Sequence, residues 1–193
     1  SSQGTVVAGI LSTTSAGTNN FRAGANAGNS ITSGGNQNTV IGDEAGTAIT
    51  TGDENVFIGF QSGDALVDGT FNVAMGSNSL TADTKGKKSV AIGTNALATQ
   101  NFTSLTDTFN VAVGHSAGTA VTTGTENTIV GGLAGLAATT ASGVTLVGVR
   151  AGGGLTTGGD NTAIGKQALK VATEGTGNTA VGKDALEATT TAS

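Results

Sequence analysis

The chain has no cysteine, no proline, no tryptophan and no tyrosine, and a single histidine among 193 residues. Without Cys there are no disulfides, no thiolate nucleophile and no Cys-based metal centre, which fits an exported or exposed protein. Charge is sparse, at 11% Asp, Glu, Lys and Arg with a net of −5. The nearest thing to a basic cluster is Lys85, Lys87 and Lys88, so no nucleic-acid partner is expected. Uninterrupted apolar runs are only a few residues long, so no membrane insertion by a helix is expected. The start at Ser1 reads as a processed chain or a fragment, with any targeting segment outside it. Apolar residues make up 36%, much of it Ala, too little bulk for a conventional globular core. Low charge and a mean hydropathy of +0.08 do not match charge-rich disorder either.

What the chain does have is 33 Gly, interleaved with short Val and Ile stretches. That pattern reads as many short strands joined by tight turns. The segment Asn38-Thr-Val-Ile-Gly-Asp-Glu-Ala-Gly46 returns along the whole sequence. Its central glycine anchors ten copies, at Gly24, Gly42, Gly59, Gly76, Gly93, Gly114, Gly131, Gly148, Gly165 and Gly182. The intervals are 18, 17, 17, 17, 21, 17, 17, 17 and 17 residues. A fixed period of this length is the signature of stacked repeats.

Each position of the repeat carries a physical meaning. One residue before the anchor stands Ile, Val or Met in nine copies, and three before it stands Val or Thr in the same nine. Two apart, these share one face of a strand and are assigned to the interior. The residue between them is Ala in five copies and Val40, Phe57, Ile129 or Leu146 in four others. A strand apolar on both faces is buried on both, so this second face calls for a neighbouring chain. The anchor glycine is expected to take a left-handed turn conformation, and the Ala or Ser three residues later implies close backbone approach. A second glycine, seven before the anchor, marks another turn. Four before the anchor come Asn20, Asn38, Asn55, Asn72, Asn110, Asn127, Asn161 and Asn178. Stacked, their amides form a hydrogen-bonded ladder; ligand binding is the alternative role.

The pattern predicts an all-β chain, a parallel β-roll or β-solenoid of about ten 17-residue coils. Residues 1–19 read as a lead-in or degenerate coil, 20–188 as the roll and 189–193 as a tail. Ser89-Val-Ala-Ile-Gly-Thr-Asn-Ala-Leu97 resembles the head repeat of trimeric autotransporter adhesins of the YadA type. Asn161-Thr-Ala-Ile-Gly-Lys-Gln-Ala-Leu169 and Thr156-Thr-Gly158 are more similar to repeats of phage tail-fibre proteins. The resemblance implies a left-handed roll, packed as a parallel homotrimer, extracellular on a virion or cell surface and used for attachment. The 17-residue period favours the fibre-like group, and the chain then reads as a shaft or head segment of a larger object.

Candidate sites are few. His115 stands alone in a position of mixed composition, with no Cys and no recurring acid beside it, so no catalytic role is expected. Asp43-Glu44 and Asp53-Glu54 lack the converging oxygens a Ca²⁺ ion needs, so no metal and no cofactor are expected. A Thr file nine before the anchor (Thr50, Thr84, Thr122, Thr139, Thr156 and Thr173) opens an ice-binding alternative, interrupted by Val67 and Leu105. The single long interval puts four extra residues within 98–109, where Asn101, Phe102, Leu105 and Phe109 form a candidate recognition or inter-chain loop. The functional expectation is a structural fibre segment, not an enzyme. Its partners are its own copies and a host surface glycan or envelope receptor. The alternative is a carbohydrate- or envelope-binding solenoid module.

Overall fold

The structure is a computed structural model that describes residues 11–12 and 16–188. Most of the lead-in and all of the 189–193 tail lie outside the described residues. Among these residues there is no helix. The main sheet begins with Leu11–Ser12 (β1), antiparallel to Phe21–Ala23 (β2). From β2 onward every pairing is parallel. The strands continue as Thr39–Ile41 (β3), Val56–Ile58 (β4), Val73–Met75 (β5), Val90–Ile92 (β7), Val111–Val113 (β9), Thr128–Val130 (β10), Thr145–Val147 (β11), Thr162–Ile164 (β12) and Thr179–Val181 (β13). Gly86–Lys87 (β6) and Thr106–Asp107 (β8) make a second, two-stranded parallel sheet. The chain is therefore a β-solenoid, each coil adding one short strand to the stack. At ~4.8 Å between strands, the rod is about 43 Å long from β2 to β13.

Register follows the repeat. Thr39 lies opposite Val56, Val40 opposite Phe57 and Ile41 opposite Ile58. The alignment survives the long interval, with Val90 opposite Val111. Each strand stops after three residues because the anchor glycine turns the backbone to φ between 121° and 137°. A side chain at Gly93 would overlap the carbonyl oxygen of Gly114 in the next coil. Two further left-handed positions follow each anchor. One is two residues on, as at Asn78 (φ 55°) and Asn95 (φ 58°); the other is four on, as at Leu80 (φ 53°) and Leu97 (φ 49°).

The two faces of the strand are the reverse of the sequence-based assignment. The middle residue points inward: Val40, Phe57, Ala74, Ala91, Ala112, Ile129, Leu146 and Ala163 have no exposed surface. The flanking Val, Ile and Thr point outward and are half-buried or exposed, Met75 at 38% and Ile164 at 41%. The more hydrophobic face is thus the outer one. Ala can serve as an interior residue because a second position supplies the missing volume. Where the strand residue is Ala74, Ala91 or Ala163, the residue four after the anchor is the buried Leu80, Leu97 or Leu169. Where it is Val40, Phe57, Ile129 or Leu146, that position is glycine. A Cβ on Gly63 would lie 2.6 Å from the Phe57 ring, and one on Gly152 2.6 Å from Leu146. In the one coil with Ala112 and Gly118, Leu97 and Ile129 reach in from the neighbouring coils, to 3.1 and 3.0 Å from that Cβ position. Core volume is conserved along the stack, as close packing requires. Ile49, Leu66, Val121 and Leu155, ten before their anchors, complete the interior.

Candidate functional site

The asparagine file is an internal structural device. Asn38, Asn55, Asn72, Asn110, Asn127 and Asn161 are wholly buried. The main-chain N–H of Asn55 donates to Asn38 Oδ1 at 3.0 Å, and Asn55 Nδ2 donates to the same oxygen at 3.1 Å. Asn55 Nδ2 also donates to the Gly69 carbonyl at 3.0 Å. Asn55 Oδ1 in turn accepts from the main chain of Asn72 at 3.0 Å. Each amide so placed clips three successive coils together and keeps no group for a ligand. Burial without these partners would cost about 1–3 kcal/mol per orphaned group.

The file is broken at Ser89, and there the structure builds something different. Asp83 and Gln100 occupy the interior where other coils place Leu66 or Val121, and both are wholly buried. Asp83 Oδ1 accepts the N–H of Gly86 at 3.0 Å and of Phe102 at 3.1 Å. Asp83 Oδ2 accepts Gln100 Nε2 at 2.6 Å, which also reaches Ser89 Oγ at 2.8 Å. Gln100 Oε1 accepts from Asn110 Nδ2 at 2.8 Å, returning the network to the asparagine file. Ser89 Oγ and Thr108 Oγ1 close it at 2.6 Å.

This network sits beneath the four-residue insertion and explains it. Asn101 still holds coil register, its N–H donating to Thr122 at 2.9 Å. Thr106 pairs with Gly86 in the second sheet. Three of the extra residues therefore lie within 102–105, and the fourth enters between Asp107, opposite Lys87, and Val111, opposite Val90. Where the chain leaves the coil, the buried carboxylate accepts the Phe102 N–H. Phe102 itself is 8% exposed, tucked into its own chain, while Leu105 is 55% exposed. The Thr file passes through Asn101 and not Leu105 at this coil.

The surface beside the insertion is mixed. Phe71, Lys88 and Phe109 stack in one file, five before successive anchors and each with positive φ. Phe71 is 49% and Phe109 52% exposed. Lys88 Nζ stands 5.0 Å from the Phe109 ring centroid, a cation–π contact. Lys88 and Lys87 both bind Asp107, at 2.7 and 2.9 Å. The hydrogen bond from Lys88, then that from Lys87, holds the Asp107 carboxyl below its ordinary range. Its ion pairs support the fold above the usual carboxylate range and are lost as pH falls through the lowered value. Solvent around these side chains keeps that contribution small.

Excising residues 102–105 is expected to leave folding intact, because it restores a 17-residue coil at the cost of moving Thr106 and Asp107 one position, from Gly86 and Lys87 to Lys85 and Gly86. Circular dichroism melting checks this: a shift of a few degrees fits a tolerated insertion, and loss of the folded signal would make the insertion an integral part of the coil.

Other sequence candidates resolve into scaffold or surface. His115 is exposed on a turn. Glu44 accepts from Gln61 Nε2 at 2.7 Å, and Asp53 accepts the Asn36 N–H at 2.7 Å. Among the described residues no group of three or more His, Asp or Glu gathers to hold a metal. In the Thr file, Thr122 and Thr139 donate their hydroxyls to the next coil's carbonyls at 3.1 Å. No helix among these residues is long and apolar enough to cross a membrane. Comparison with known proteins returns no matching family model, curated protein or solved structure.

Sequence reasoning missed Asp83, Gln100 and the outward sheet face. The first two were visible as polar residues in a file otherwise held by Ile31, Ile49, Leu66, Val121, Ala138, Leu155 and Ala172. The face was hidden because Ala in the strand centre looks too small to fill the chain's own interior, and so suits a neighbouring chain, until its Leu partner is noticed.

Proposed function

We propose that the chain is a structural fibre segment, of a phage tail fibre or a surface adhesin, that acts in attachment outside the cell and assembles as a parallel homotrimer. The observation that carries this reading is the outward sheet face. Ile41, Ile58, Met75, Ile92, Val113, Val130, Val147, Ile164 and Val181 run unbroken along the rod, two residues from a parallel file of Val and Thr. Neither file contains a charge from β3 to β13. Contiguous apolar surface of this kind marks an association site. A partner that matches it over the whole length must share its coil spacing, and a second copy does. The resemblance of the repeat to tail-fibre and YadA-type head repeats supports three chains.

Light scattering at micromolar concentration is expected to return three times the 18.4 kDa chain mass. The paired substitutions Ile58→Lys and Ile92→Lys are expected to give a folded monomer. A monodisperse monomer from the unaltered chain would remove the reading.

A second reading, a carbohydrate- or envelope-binding module, is favoured by the exposed Leu105, Phe109 and Phe71 beside the insertion. Ice binding has less support, since the Thr hydroxyls on which it rested donate to the chain's own carbonyls.

A further inference from the structure

The insertion carries a motif that the repeat excludes elsewhere. Asn-x-Ser or Asn-x-Thr, with x not proline, is the acceptor sequence for an N-linked sugar, and it acts at the surface. The repeat is rich in asparagine yet does not produce it. Two residues after each ladder asparagine from Asn38 on stands the inward residue of the strand. Val40 follows Asn38 and Ala112 follows Asn110 in this way, both wholly buried. Such an interior position does not accept an unpaired hydroxyl. The other asparagines also lack Ser or Thr at that distance, so Asn101-Phe102-Thr103 is the one copy in the sequence. Asn101 stands where the neighbouring coils place Thr84 and Thr122, and Thr103 lies in the stretch that leaves the coil.

The structure presents this copy to solvent. Asn101 and Thr103 are exposed, while Phe102 between them is buried. Phe102 is held at both ends, its N–H donating to Asp83 Oδ1 at 3.1 Å and its carbonyl accepting from Thr84 Oγ1 at 2.8 Å. With Phe102 turned inward, its two neighbours stand together on the solvent side. Thr84 Oγ1 also lies 3.0 Å from Asn101 Oδ1, which orients the amide by its oxygen. Among the described residues Asn101 Nδ2 and Thr103 Oγ1 make no hydrogen bond. The contrast is with a ladder amide such as Asn55, whose Nδ2 donates at 3.1 and 3.0 Å inside the stack.

We propose that Asn101 is an acceptor site for an N-linked glycan. Nδ2 forms a bond to C1 of a sugar carried on a lipid or nucleotide diphosphate. The C1–O bond breaks with its electron pair leaving on the diphosphate, and the amide gives up one proton. The activated sugar comes with the transferring enzyme, which reads the Thr103 hydroxyl. The site goes beyond the fibre reading, since a rod can carry a sugar or lack one. It stands in the Thr file, outside the two outward files proposed for assembly.

The test is the full chain secreted from cultured eukaryotic cells and weighed by intact-mass spectrometry before and after peptide-N-glycosidase. It is expected to carry a single glycan, which the glycosidase removes while leaving an aspartate at position 101. Asn101→Gln and Thr103→Ala are expected to lose the glycan entirely, and Thr103→Ser to keep it. Thr103→Ala leaves the contacts of Asn101 and Phe102 in place, so its melting curve is expected to match that of the unaltered chain after glycosidase treatment. A secreted chain without a glycan, a glycan on another asparagine, a glycan that survives Thr103→Ala, or its complete loss in Thr103→Ser would each overturn the site. A chain that carries the glycan yet stays monomeric keeps the site and loses the homotrimer.

Discussion

Gly93→Val is expected to lower the melting temperature by ~10 °C or more, while Thr94→Val, one residue on, shifts it by no more than a degree or two. Gly93 sits at φ 129°, where a β-branched residue is strongly strained. Backbone strain of that kind costs about 1–3 kcal/mol. A new side chain would also overlap the Gly114 carbonyl of the coil above, and that carbonyl belongs to another anchor with the same constraint. Relief would have to pass from coil to coil. In a chain of this length each kcal/mol moves the midpoint by roughly 2–4 °C. Thr94 is exposed and its position varies freely between copies, so its replacement disturbs no neighbour. Differential scanning calorimetry of the two variants side by side is the check, and equal shifts would remove the anchor interpretation.

The second large effect is a coupling. Phe57→Ala alone is expected to cost about 3–5 kcal/mol, because it empties a wholly buried site. Gly63→Leu alone is also expected to destabilise, because its Cβ would lie 2.6 Å from the Phe57 ring. The left-handed backbone there is not the obstacle. Gly63 has φ 57°, and Leu80 and Leu97 occupy the same position of their coils at 53° and 49°. The double variant reproduces the arrangement of Ala74 and Leu80 one coil above. It is expected to recover most of both losses, a coupling of ~2 kcal/mol or more in a double-mutant cycle. Denaturant titration of the four proteins measures it. Simple additivity would show that the two positions do not share one volume.

The solenoid, its strands and its parallel register were legible because ten copies report the same constraints. A left-handed anchor was readable at Gly93 because no other residue type ever replaces it. Which face lies inside was not readable from either face alone. Hydropathy favoured Ile58 over Phe57's neighbours Ala74 and Ala91, yet burial follows total volume, and the volume is shared with Leu80 and Leu97, six residues away in sequence. The left-handed positions at Asn78, Leu80 and Lys88 were also hidden, since non-glycine residues hold them. At the insertion, the count of extra residues was legible and their place was not. Asn101 differs from the Thr of its file, so only the hydrogen bond to Thr122 reveals that it stays in the coil.

The strands lie across the rod, so the hydrogen bonds between coils point along it. Tension applied to the two ends of one chain therefore pulls coils apart in series, and the load falls on the outermost coil before it reaches the next. A released coil exchanges ~4.8 Å of rod for 17 residues of extended chain, which at ~3.3–3.6 Å per residue is a gain of roughly 50 Å. Asparagine clips such as Asn55 bind the coils on both sides of their own, so the stack resists that first release and then yields in nearly equal lengths. Under load the rod behaves as a spooled tether, giving out length a coil at a time while the remaining stack keeps its shape.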